Sequence, residues 1–143
     1  MRIAAAFLAT HVTMPEGAGI LNVLDAGVTW IDRPTYPAPL DLYLALLLAA
    51  TPEEYESTLE MEIEIRSVDS DDVAQPGLRV AHLKGHFQPT LNPTAQGDSF
   101  GALVPLVADF GAVDIPFHGH YRISISAGDA EATVDFQARS HGD

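Results

Sequence analysis

Residues 119–138 predict a β-hairpin whose register can be derived without a structure. Gly128-Asp129 is a two-residue turn signal with glycine first, the order a type II′ turn requires. Counting outward from the turn, Ala127 faces Ala130, Ile125 faces Ala132, Ile123 faces Val134 and Tyr121 faces Phe136, all on one side. Ser126 faces Glu131, Ser124 faces Thr133 and Arg122 faces Asp135 on the other. One side is wholly apolar and the other wholly polar, and a slip of one residue would invert both. The hairpin commits the chain to antiparallel β-structure with one wet side.

A chain of 143 residues can hide roughly 68–70% of its unfolded surface within one core. Residues 1–143 are therefore read as a single domain that needs no disulfide or structural metal. Cysteine is absent, which removes disulfides, thiolate catalysis and Cys-ligated zinc or iron–sulfur sites. Seven basic residues stand against twenty acidic ones, a net charge of −13. That balance argues against nucleic-acid binding by phosphate neutralisation and against anionic membrane surfaces. Nine acidic residues and one basic residue, Arg66, lie between Glu53 and Asp72. This segment reads as a solubilising face, with a docking surface for a basic partner as the functional alternative.

The longest apolar stretch, Leu42–Ala50, is nine residues, against roughly 20 for a membrane-spanning helix. Ile3–Ala9 follows Arg2 in the manner of a signal peptide, but the run is short and no small-x-small cleavage site follows His11-Val12. It reads as a first strand, and the protein as cytoplasmic.

Strand patterns continue along the chain. Arg2–Val12 is followed by a turn-rich connection and a long strand over Ile20–Ile31, with Gly27 marking a bulge. Arg33–Pro39 contains three prolines and reads as an extended crossing segment. Leu40, Leu42, Leu44, Leu46 and Leu48 recur at period two, which predicts a strand despite their helical propensity. A helix-start signature at Thr51-Pro52-Glu53-Glu54 adds one short helical turn. Leu59–Arg66 alternates strictly between apolar residues and Glu60, Glu62, Glu64 and Arg66. Leu78–Phe87 and Ser99–Ala108 are further strands, and Pro105 inside the latter predicts an edge or a bulge. The fold class is all-β, a two-sheet antiparallel β-sandwich of about eight strands. The Gly119-His120-Tyr121 sequence before a late strand fits an immunoglobulin-like general architecture.

Candidate chemistry is sparse. His118 and His120 would share a strand face and, with Asp114 or with His82 or His86 from another strand, are the candidate metal ligands. His82 and His86 also share a face but lie roughly 13 Å apart along a strand, too far for one ion. Asp69-Ser70-Asp71-Asp72 offers oxygens to calcium but lacks the glycine-bearing arrangement that makes ligands converge, and reads as a solvated turn. No serine sits in a nucleophile elbow, and nothing in the sequence brings His11 and Asp25 to a serine. Glu16-Gly17-Ala18-Gly19 is not a phosphate loop. Glu60, Glu62 and Glu64 share a face that reads as exposed. Trp30, Tyr36 and Tyr43 could line a sugar-stacking surface, with Trp30 otherwise packing at the core or its rim.

Phe7-Leu8-Ala9-Thr10, Glu16-Gly17, Leu21–Ile31 and the late Gly119-His120-Tyr121 resemble a family of short bacterial proteins of unknown function, common in actinobacteria. The chain departs from that pattern at Asp25-Ala26, where the family carries glycines. The resemblance implies a small cytosolic β-sandwich and assigns no reaction, cofactor or site residue. The resulting expectation is a non-enzymatic module that binds a protein partner, basic in character, or associates weakly with itself as a homodimer. No catalytic residue and no cofactor is implied. The competing classes are a metal-dependent protein using His118 and His120, and a carbohydrate- or small-ligand-binding module.

Overall fold

The hairpin adopts the register derived above, pair for pair from Ala127↔Ala130 to Tyr121↔Phe136. Gly128 takes φ +60° while Asp129 stays out of the left-handed region, the type II′ signature. The computed structural model describes residues 1–15, 20–55, 57–68, 77–89 and 102–140. Among them the strands are β1 (Arg2–Thr13), β2 (Asn22–Ala26), β3 (Trp30–Arg33), β4 (Ala38–Pro39), β5 (Tyr43–Ala50), β6 (Leu59–Val68), β7 (Arg79–Phe87), β8 (Ala102–Asp109), β9 (Asp114–Ile115), β10 (Gly119–Ala127) and β11 (Ala130–Ser140). They form a four-stranded sheet in the order β2-β1-β5-β8, a five-stranded sheet in the order β3-β11-β10-β6-β7, and the small pair β4-β9. The chain is all-β and sandwich-like.

The strand count exceeds the expected eight for two reasons. The small pair β4-β9 was too short to leave a pattern, and the expected long strand over Ile20–Ile31 is broken. At the break Gly27 has φ +85° and Asp25 φ 53°, conformations that glycine and aspartate tolerate best. The amides of Gly27 and Val28 both donate to the Leu8 carbonyl, at 2.8 and 3.1 Å. Beyond that pinch the chain leaves the four-stranded sheet and joins the other as β3. There it lies parallel to β11, from Gln137↔Trp30 to Ser140↔Arg33. This corrects the purely antiparallel expectation. A parallel pair needs a long crossover connection, and here the intervening chain builds most of both sheets.

The leucine-rich segment is strand β5, as its period predicted, with Leu44, Leu46 and Leu48 buried. The helical turn is a single 3-10 turn, Pro52–Glu54, with Glu54 Oε1 accepting from the Thr51 amide at 2.9 Å. Pro105 does lie on an edge strand: among the described residues β8 pairs only with β5, and Pro105 sits opposite Leu47. One core joins the two large sheets. Leu8, Leu44 and Leu46 come from the four-stranded sheet, and Ile63, Ile65, Tyr121, Ile123 and Phe136 from the five-stranded one. Each such side chain, fully buried, contributes about 1.5–3 kcal/mol.

Candidate functional site

Both large sheets have an inner face in the shared core, which leaves two broad outer faces. These differ sharply in chemistry.

On the five-stranded sheet, registers set the polar residues in rows across β11, β10, β6 and β7. One row is Glu131, Ser126, Glu62 and Lys84; the next is Thr133, Ser124, Glu64 and His82. A third follows with Asp135, Arg122, Arg66 and Arg79. Of the acidic residues of β6, Glu60 and Glu62 are exposed and Glu64 half-buried, and Glu62 and Glu64 meet basic side chains of their own sheet. The Arg66 guanidinium pairs with Glu64 and holds its carboxyl below the usual range. His82 Nε2 lies 2.7 Å from Glu62 Oε1. Asp135 receives Arg122 Nε at 2.8 Å and Nη2 at 3.0 Å, which holds its carboxyl low and the guanidinium high. Between the first two rows runs a shallow trough floored by Ser124 and Ser126 and walled by Glu62, Glu64 and Glu131. Ligand atoms of Glu62, Glu64 and His82 lie within 4.8 Å of one another, the one such group of potential metal ligands among the described residues. Sequence reasoning placed Glu62 and Glu64 on a common face but could not supply His82. Its position opposite Glu64 depends on a register set across a long loop.

The histidines singled out from sequence are placed differently. His118 is exposed in the turn before β10, next to Gly119 with φ +143°. His120 Nε2 contacts Asp135 Oδ2 at 3.1 Å, and Asp114 belongs to β9, opposite Pro39. His86 lies opposite Glu60. His11 stacks edge-on against Tyr43 with ring centroids 5.7 Å apart, whereas Asp25 accepts from Thr10 Oγ1 at 2.9 Å. The three aromatic residues do not share a surface. Trp30 is half exposed on β3 under the Arg139 guanidinium, 5.1 Å from its ring centroid. Tyr36 packs on the main core and donates to the Arg139 carbonyl, and Tyr43 belongs to the second cluster described below. Trp30 also borders a cleft of about 390 Å³ with Thr10, Asp32, Arg33 and Asp41. The guanidinium of Arg33 is spent there on the carbonyls of Asp32, Pro39 and Leu40. Glu16–Gly19 and Asp69–Asp72 lie outside the described residues.

The four-stranded sheet presents an apolar outer face. Its central rows are Ala5, Leu47 and Pro105, and Phe7, Ala45 and Val107. The row at one end carries Arg2, Ala49 and Leu103, and the row at the other Ala9, Tyr43 and Asp109. Ala9 and Ala45 are fully covered by Phe7, Tyr43 and Val107, which form a second hydrophobic cluster outside the main core. Leu103 at one rim is 57% exposed, and Leu24 at the other is 62% exposed. The signal for this face was present in the sequence. Tyr43, Ala45, Leu47 and Ala49 alternate with the core leucines, so β5 is apolar on both sides although only one of them enters the core.

Fold and surfaces together define an all-β, sandwich-like protein with one ion-paired outer face and one apolar outer face. By sequence, the chain belongs to a family of unknown function, DUF6941, whose family model matches residues 4–137. A search of curated proteins finds no match to it.

Proposed function

We propose that this is a non-enzymatic protein-binding module of the bacterial cytoplasm that docks its partner on the outer face of the four-stranded sheet. The observation that carries this reading is the pair of central rows on that face, six residues without a charge among them. Contiguous apolar surface rimmed by polar groups is a recurrent mark of protein interfaces. The acidic strand β6 supports a basic partner less well, because Arg66 and His82 already sit against Glu64 and Glu62.

The test is affinity capture with the full chain, its Leu47→Glu variant and its Glu62→Gln variant side by side. A partner retained by wild type and Glu62→Gln but lost by Leu47→Glu is the expected result. A partner retained equally by Leu47→Glu, or lost with Glu62→Gln, would move the docking surface to the other sheet.

A further inference from the structure

Resting on that reading of the face, we infer that its occupant is a second copy of this chain, packed sheet against sheet about a two-fold axis. Three observations point there.

The first is charge. The chain carries −13, so self-association must keep the acidic surfaces apart. The carboxylates of β6 and β11 lie on the outer face of the opposite sheet. In a face-to-face pair the layers run five-stranded, four-stranded, four-stranded, five-stranded. At about 10 Å per layer the two acidic faces stand roughly 30 Å apart, several times the ~8 Å screening length at physiological salt. A foreign acidic or basic partner would meet no charge in the central rows of this face, whose only charges, Arg2 and Asp109, stand in the end rows among the described residues.

The second is relief. On β1 and β5 large and small residues alternate diagonally: Phe7 lies beside Ala45, and Ala5 beside Leu47. Ala45 is already covered by its own neighbours, but Ala5 is only partly buried, so each copy of a two-fold pair can set its Leu47 over the other's Ala5, the self-complementarity that an isologous interface requires.

The third is extent. With four strands in the sheet, about 4.8 Å per strand and about 3.3 Å for each of roughly eight residues give a face near 500 Å² per copy. The pair buries about 1,000 Å², the lower bound for a specific interface, so the dimer is weak. Joining edge to edge through β8 is opposed by Pro105, which has no N–H to donate.

Light scattering coupled to size-exclusion chromatography, at about 0.1 M and about 1 M salt, tests the inference. A concentration-dependent dimer is expected that tightens as salt screens the charge. Leu47→Glu and Leu103→Glu should each weaken it at least about tenfold. Leu103 is more than half exposed, so that variant should melt as wild type does and serves as the fold-neutral control. Glu62→Gln should leave the dimer unchanged.

A wild type that stays monomeric at both salts up to roughly 0.1 mM protein overturns the second-copy inference. So does a dimer indifferent to both leucine variants. The docking face itself stands or falls separately. A monomer that still captures a foreign protein through Leu47 keeps the face and changes its occupant. Capture indifferent to Leu47 removes the face for that partner.

Discussion

Asp135 is shared by two basic side chains. Arg122 grips both of its oxygens, and His120 Nε2 reaches Oδ2 at 3.1 Å. The guanidinium holds the carboxyl below its ordinary 3.8, so the folded chain binds this proton less tightly than the unfolded chain. The stabilisation is therefore complete above the ordinary value and is lost as pH falls through the lower folded one. Glu64, held low by Arg66, acts in the same direction. Melting temperature followed against pH in wild type and Asp135→Asn should differ near neutrality by a few degrees at most, since the pair is partly exposed. The two curves should converge in acid; a gap that widens as pH falls would reverse the argument. The two rows beside it decide the response to metals. Any cation entering between Glu62, Glu64 and His82 competes with Arg66 for Glu64. Zinc or nickel at tens of micromolar should not raise the melting temperature. A rise abolished by His82→Ala would instead establish a cation site there.

Within the β10–β11 hairpin, Tyr121 joins two jobs. Its ring is fully buried against Phe136, stacked with centroids 5.3 Å apart, and its hydroxyl donates to the Phe117 carbonyl at 2.6 Å. Burial pushes the phenol up to about 12. Tyr121→Phe keeps the packing and leaves that carbonyl without its donor, so a loss of about 1–2 kcal/mol is expected in urea unfolding. Gly128→Ala tests the turn. The added methyl group would meet Met1 Cβ at 3.7 Å, an ordinary contact, so the cost comes from the left-handed backbone and should be about 1–2 kcal/mol. Ile123→Asp places a charge in the centre of the core and should leave no folded protein by circular dichroism. The hairpin was legible because its strands are joined by two residues, and turn chemistry plus period-two alternation leave one register. Trp30 shows the opposite case. It was read as the end of a strand beginning at Ile20, but Gly27 and Asp25 turn the chain out of one sheet, and Trp30 starts a strand of the other.

Across the molecule, one cluster of buried side chains joins the two large sheets, with Leu44 contributed by one and Ile63, Ile123 and Phe136 by the other. Neither sheet can lose its inner face without exposing the other. Heat or urea should therefore unfold the chain in a single transition, with far-ultraviolet dichroism and Trp30 fluorescence giving coincident midpoints. Leu44→Ala should lower both midpoints together, by about 2–5 kcal/mol. Separate midpoints would mean that the sheets unfold independently. Edge protection is a property of the same scale. Pro105 interrupts the donor row along β8, while the apolar rows beside it remain open to a stacked sheet.

The amino-acid sequence by itself determined the all-β class, the register of the β10–β11 hairpin, the strand nature of the leucine-rich segment and the restriction of Pro105 to an edge or a bulge. Each of these depends on residues close together in the chain: a turn, an alternation, a missing N–H. Only the tertiary structure decided that β3 runs parallel to β11, that His82 meets Glu62 and Glu64, and that the second apolar side of β5 faces outward. Those features require pairing across long connections. Period-two alternation states that a strand face is apolar, but it carries no information about what covers that face.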